Sequence, residues 1–90
     1  MYIIEFTPLA TKDVLKLQRS QQQAYIKLKK LIGELKEHPK TGTGKPKQLS
    51  GDRSGQWSRR ITDKHRLVYR IEETKIVVLV ISAYGHYDEK

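Results

Sequence analysis

The sequence predicts an α+β domain: a mostly antiparallel four-stranded sheet with an N-terminal helical hairpin on one face, in the order β-α-α-β-β-β. Three observations lead there. A short apolar strand opens the chain, and two apolar stripes at helical spacing follow it. The second half carries runs of β-branched and aromatic residues from Trp57 to Ile81, divided by polar turns. Ninety residues make a single domain, 1–90, with room for one modest core. A chain of this size buries roughly 60–65% of its unfolded surface, enough to fold alone.

Residues 2–6 read as the first strand. Thr7 then caps a helix with Pro8 at its first position, where a missing N–H costs nothing, and Leu9, Ala10, Val14 and Leu17 give it an apolar stripe to about Arg19. Ser20 followed by Gln23 fits a capping box for a second helix. Its stripe is stronger: Ala24, Leu28, Leu31, Ile32 and Leu35 line one side, lysines the other, and Pro39 ends it. Residues 39–56 form a long polar connection around Gly42-Thr43-Gly44-Lys45-Pro46-Lys47. Loops of this length are usually functional or disordered, and the spacing of a nucleotide-binding phosphate loop is absent.

Side chains argue the register of the next two strands. With Asp63-Lys64-His65 as a three-residue loop, Ile61 faces Leu67, Arg60 faces Val68 and Trp57 faces Ile71. A two-residue Glu73-Thr74 turn then pairs Ile71 with Ile76, Tyr69 with Val78 and Arg66 with Ile81. One face holds Trp57, Ile61, Leu67, Tyr69, Ile71, Ile76, Val78 and Val80, and suits the helices. The other holds Ser58, Arg60, Thr62, Arg66, Val68 and Arg70. Arg59 falls on the helix side, near an edge, where a salt bridge is its expected task. The last strand, Lys75 to Ser82, is apolar on both faces and so belongs in the middle of the sheet, delivering Tyr84-Gly85-His86-Tyr87 to the chain end. If that tail folds past Arg66, imidazole, phenol and guanidinium converge.

Eighteen Lys and Arg against ten Asp and Glu give a net charge of +8 and a pI near 9.8. That balance favours nucleic acid, an anionic surface or an acidic protein as partner. The absence of cysteine excludes disulfides, thiol nucleophiles and thiolate metal sites. No window reaches the ~20 apolar residues of a membrane span, and the first residues lack a signal peptide's basic region, so a cytoplasmic protein without membrane contact is expected. Three scattered histidines make no metal site, and no metal or other cofactor is expected.

Arginine inside strands asks for a reason, because a buried charge is costly unless paired, and an anion lying on the sheet supplies one. Cleaving RNA without a metal requires removal of the 2′-OH proton, neutralisation of a charged phosphorane and protonation of the leaving 5′-oxygen. Histidine titrates in the working range, arginine gives bidentate donors, and tyrosine stacks bases. Arg60, Arg66, His86 and Tyr87, with Lys45 and Lys47 in the loop, supply that set, and Tyr84 and Arg70 add RNA contacts. Trp57 and Tyr69 read better as core, His65 as a solvated or capping turn residue, and His38 as a helix-end residue.

The run Gly44-Lys45-Pro46, Leu49, Gly55, Trp57-Ser58-Arg59-Arg60-Ile61-Thr62, His65-Arg66-Leu67-Val68-Tyr69 and Gly85-His86-Tyr87 closely resembles the YoeB (Txe) toxins of the RelE superfamily of bacterial toxin–antitoxin systems. The resemblance is dense from about residue 42 to 90. It implies a microbial-ribonuclease-like fold and ribosome-dependent, metal-independent cleavage of mRNA in the A site, leaving a 2′,3′-cyclic phosphate and arresting translation. It implies Arg66 as the arginine that stabilises the transition-state phosphate, Arg60 as its support, His86 as general acid and Tyr87 as a substrate contact. It also implies a YefM-like antitoxin with an acidic, partly disordered segment, and it allows a homodimer. One position departs: the family's general-base glutamate is Lys47 here. Either like-charged neighbours lower the lysine's pKa enough for it to take the proton, or the enzyme relies on arginine clamping, His86 and the ribosome's own groups. RelE is similar in using lysines and arginines. Two alternatives keep the charge but drop the nuclease chemistry: a non-catalytic basic module binding RNA, ribosome or an acidic partner, and a ParE-like gyrase inhibitor.

Overall fold

The computed structural model describes residues 1–85. Strand β1 (Ile3–Phe6) leads into helices α1 (Pro8–Ser20) and α2 (Gln22–Leu35), followed by strands β2 (Lys47–Gln48), β3 (Gln56–Arg60), β4 (Arg66–Glu72) and β5 (Val77–Ser82). The sheet order is β1-β5-β4-β3-β2, with β1 parallel to β5 and every other pair antiparallel. The α+β class and the helical hairpin on one face are as the sequence predicts. The sheet is five-stranded and mixed rather than four-stranded. The added strand comes from the polar connection, where Lys47 and Gln48 lie opposite Ser58 and Trp57.

Local chemistry explains the helix boundaries. The Thr7 hydroxyl accepts from Ala10 N–H at 3.0 Å, and Pro8 occupies the first turn. The Ser20 capping box does not form: α1 runs through Ser20, whose hydroxyl donates to the Lys16 carbonyl at 2.7 Å, and Gln21 stands between the helices. Helix α2 ends at Leu35, ahead of Pro39. Its buried face presents Ala24, Leu28, Leu31 and Leu35 to Leu67, Tyr69, Val78 and Val80 of the sheet, with Ala10 and Leu17 joining from α1. Each buried leucine contributes about 1.5–3 kcal/mol relative to an exposed one.

Both hairpin registers differ from expectation by two residues. Trp57 pairs with Tyr69 and Arg60 with Arg66, which lengthens the loop to Ile61–His65. Tyr69 pairs with Val80 and Ile71 with Val78. In place of a two-residue turn, Glu73–Lys75 form a turn of 3-10 helix, and Ile76 takes a left-handed conformation at φ 55° that turns it to solvent. A shift of two preserves which face each side chain occupies. The helix-facing set therefore stands, apart from Ile76. A bulge between Val68 and Tyr69 lets Val68 pair with Ser82. Strand β5 is central, between β1 and β4. Among the described residues, no helix is long and apolar enough to cross a membrane.

Candidate nucleic-acid interface

The sheet face away from the helices carries the cations. Arg60 and Arg66 are direct cross-strand neighbours, and Lys47, Ser58 and Val68 form the adjacent row across β2, β3 and β4. Strands lie about 4.8 Å apart and same-face residues about 6.8 Å apart along a strand. Lys47 and the arginine pair are thus within side-chain reach of one another. Arg70, two residues beyond Val68, continues the same face. Ser58 and Val68 are buried while Lys47, Arg60 and Arg70 are exposed, so the face has a small, uncharged floor and a charged fringe.

Arg66 is half-buried, and its Nη1 donates to the carbonyl of Thr62 at 2.7 Å and, at longer range, to those of His65 (3.3 Å) and Asp63 (3.5 Å). The loop thereby fixes the plane of the guanidinium without neutralising it. Among the described residues no carboxylate lies within ion-pair distance of Arg66, and Nε and Nη2 have no acceptor. Arg60 meets Asp63 at 3.4 Å and Arg70 meets Glu72 at 3.7 Å, pairs that water screens. An anionic ligand would find all three guanidinium groups available.

The loop that brings Lys47 to this face is held by Arg59, the fully buried residue among the strand arginines. All five of its N–H donors are used. Nε donates to the Tyr69 hydroxyl, Nη1 to Glu34 Oε1 at 2.8 Å and the Thr43 carbonyl, and Nη2 to the carbonyls of His38 and Thr41. The Tyr69 hydroxyl in turn donates to the Pro39 carbonyl at 2.7 Å. The expected salt bridge of Arg59 exists, but in the interior rather than near an edge. Thr43, through its hydroxyl at 2.6 Å and its amide at 2.8 Å, holds the Glu34 carboxyl below the usual carboxylate range, with Arg59 adding to the effect.

Two glycines let the loop approach this closely. At Gly42 (φ 118°) a Cβ would meet Glu34 Oε1 at 2.5 Å, and at Gly44 (φ 86°) it would meet the Arg60 carbonyl at 2.9 Å. Gly44 also accepts from Arg60 N–H at 2.7 Å, tying the loop to the arginine strand. Lys45 follows at φ 53°, an uncommon conformation for a residue with a side chain, directly before Pro46. Gly44→Ala is therefore expected to cost about 1–3 kcal/mol, since both the left-handed backbone and the Cβ clash oppose it. Chemical denaturation would measure this, and a midpoint equal to wild type would refute the close approach.

Tyr84 turns toward α1: its ring centroid lies 4.4 Å from that of His65, and Lys16 Nζ sits 4.3 Å from it. His38 contributes its backbone carbonyl to Arg59. His65 is buried rather than solvated, bonded to Gln21 and to Gly85. His86 and Tyr87 lie outside the described residues. The described chain reaches Gly85, whose carbonyl accepts from Arg66 N–H at 3.0 Å. Sequence reasoning missed the parts that position this end of the chain, Asp13 and His65. Both carried a readable signal, for Asp13 falls between Ala10 and Leu17 on the apolar face of α1, and His65 shares the parity of Leu67.

The family model for the YoeB-like toxins of bacterial type II toxin–antitoxin systems matches residues 6–87. A toxin YoeB from Mycobacterium bovis is 40% identical over 87 residues, covering 97% of this chain and all of its own. A YoeB/ParE toxin from Agrobacterium tumefaciens superposes with a TM-score of 0.89 at 38% identity, covering 94% of this chain and 99% of its own. The YoeB–YefM complex from Staphylococcus aureus gives 0.82 at 30% identity, covering 97% and 99%. A family match across nearly the whole length, joined by relatives and solved structures alike over almost all of both chains, leads to one conclusion: the chain belongs to the YoeB-like toxins of bacterial type II toxin–antitoxin systems.

Proposed function

We propose that this toxin is a ribosome-dependent, metal-independent mRNA endoribonuclease that arrests translation by cutting the message in the A site. The observation that carries the reading is the Arg60–Arg66 pair on the sheet face away from the helices, with Arg66 oriented by loop carbonyls and not paired to a carboxylate among the described residues. Such a group is preorganised for the charge of a phosphorane, and the loop's carbonyls spare it reorganisation when that charge develops. In the reaction the 2′-oxygen attacks the neighbouring phosphorus and loses its proton to a base, while the P–O5′ bond breaks. The leaving 5′-oxygen takes a proton from His86, giving a 2′,3′-cyclic phosphate and a 5′-hydroxyl. Arg66 holds the phosphoryl oxygens and Arg60 supports it. Lys45, Arg70 and Tyr87 contact flanking RNA, whereas the Tyr84 ring, engaged with His65 and Lys16, does not.

Lys47 takes the family's general-base place and sits one row from the arginine pair. As an amine it removes the proton; as an ammonium it adds a third cation to the phosphate. Mapping the 5′ ends of cellular mRNA after brief expression tests the whole reading. Wild type should give discrete cuts within translated codons. Lys47→Ala should lower their yield about tenfold or more, while Lys47→Glu, which restores a carboxylate, should keep it. Translation arrest with no discrete ends would instead support a non-catalytic basic module.

The partner of this toxin, on the same reading, is a YefM-like antitoxin whose acidic, partly disordered segment folds over the arginine face. The Staphylococcus aureus neighbour's own complex supports that analogy, and so does the charge of +8.

A further inference from the structure

The chain leaving β5 is gripped at three successive residues. Ala83 N–H donates to the buried Asp13 carboxylate at 2.9 Å. The Tyr84 ring lies against His65 at 47°, with the Lys16 ammonium on it. Gly85 N–H donates to His65 Nδ1 at 2.9 Å, and its carbonyl accepts from Arg66 N–H. On the other side of the imidazole, Nε2 is 3.1 Å from Gln21 Oε1 at the joint between the helices.

This arrangement determines the tautomer. A backbone amide only donates, so Nδ1 must offer its lone pair, and the ring proton sits on Nε2, facing the Gln21 carbonyl oxygen. An imidazolium carries protons on both nitrogens and has no acceptor for Gly85. We propose that His65, as the neutral Nε2–H tautomer, is a positioning residue that fixes the chain at Gly85 beside Arg66, and that gaining a proton releases it.

The charges around the ring oppose one another. Burial, the largest effect, pushes the His65 pKa below its usual value; Lys64 in the hairpin loop acts the same way, and Asp13 from α1 acts against them. Lys16 of α1 lies across Tyr84. With the folded pKa below the unfolded one, the stabilisation is complete above about pH 6.5 and is lost as pH falls through the lower, folded value. What release does to activity rests on the nuclease reading, because His86 follows Gly85 in the sequence. The clasp itself does not depend on that reading.

Amide exchange and imidazole 15N shifts of the full chain, with mRNA end-mapping alongside, test the proposal. At about pH 7.5 the wild-type ring should show the Nε2–H pattern, and Gly85 protection should fall severalfold as pH is taken well below the ordinary imidazole value of about 6.5. His65→Phe keeps a ring against Tyr84 but no acceptor. It should lose roughly fivefold or more in Gly85 protection and about tenfold or more in cleavage, with Val78 and Val80 amides still protected as proof of the fold. His65→Asn, whose Oδ1 replaces Nδ1, should restore protection and abolish its pH dependence. Equal Gly85 protection in all three proteins, or a ring protonated at Nδ1 near pH 7.5, would overturn the proposal. A wild type that makes no mRNA cuts yet loses Gly85 protection in His65→Phe would leave the clasp standing and remove the nuclease reading.

Discussion

Replacing Arg66 by alanine should abolish growth arrest and lower mRNA cleavage about 10²- to 10³-fold, the usual consequence of removing one preorganised donor from a developing oxyanion. Three carbonyls of the hairpin loop hold Nη1 of this side chain, and no described carboxylate neutralises it. Stability should fall by only about 1 kcal/mol, since the bonds lost are partly exposed and water can replace them. Arg66→Lys separates charge from geometry. A single ammonium cannot grip two phosphoryl oxygens through a planar fork, and it should recover only a minor part of the rate. Primer extension on a translated message, beside a thermal melt of each protein, provides both readouts. An Arg66→Ala protein that cuts at the wild-type rate would remove Arg66 from the reaction.

The buried arginine of β3 should behave in the opposite way. Arg59→Ala is expected to cost about 3–5 kcal/mol, because it removes the ion-pair partner of Glu34, leaving that carboxylate to Thr43 alone, and leaves the carbonyls of His38, Thr41 and Thr43 without their donor. In a domain of this length that corresponds to a fall in melting temperature of roughly 15–30 °C. Arg59→Lys should rescue little, for three donors on a flexible stem cannot serve a ring of acceptors arranged around a planar group. Differential scanning calorimetry in complex with a stabilising partner would measure both variants. A near-native melting temperature for Arg59→Ala would mean that the loop from 38 to 44 is held by something else. Arg59 and Arg60, adjacent in sequence, thus have separate tasks, since a strand sends consecutive side chains to opposite faces.

That alternation is also why so much of the site was legible. Both hairpins slid by two residues relative to the expected pairing, yet the faces survived, because only an odd shift exchanges them. Turn length was the weak step: the five-residue loop before Arg66 is stabilised by carbonyls that its own side chain collects, a feature visible only once the loop is folded. Strand β2 was illegible for a different reason. Lys47 and Gln48 have no apolar pattern, and their place beside β3 follows from Gly44 accepting the Arg60 amide and from Leu49 N–H reaching Gln56. Five acceptors for Arg59 could not be read from sequence, since four of them are spread over residues 34–43 and three are backbone carbonyls. The Ser20 capping box failed because the same hydroxyl had a partner one turn back in α1.

The parallel pairing of β1 with β5 carries a consequence for biosynthesis. Strand β1, the first of the described strands, has its hydrogen-bonding neighbour in β5, the last of them, and that later strand lies in the interior of the sheet. Until β5 leaves the translating machinery, β1 lacks its neighbour and β4 has only one. The sheet of a nascent chain therefore cannot close before β5 has been made, and closure waits on contacts between strands far apart in sequence. Whatever the folded domain does to its host is thus deferred until β5 is free to pair.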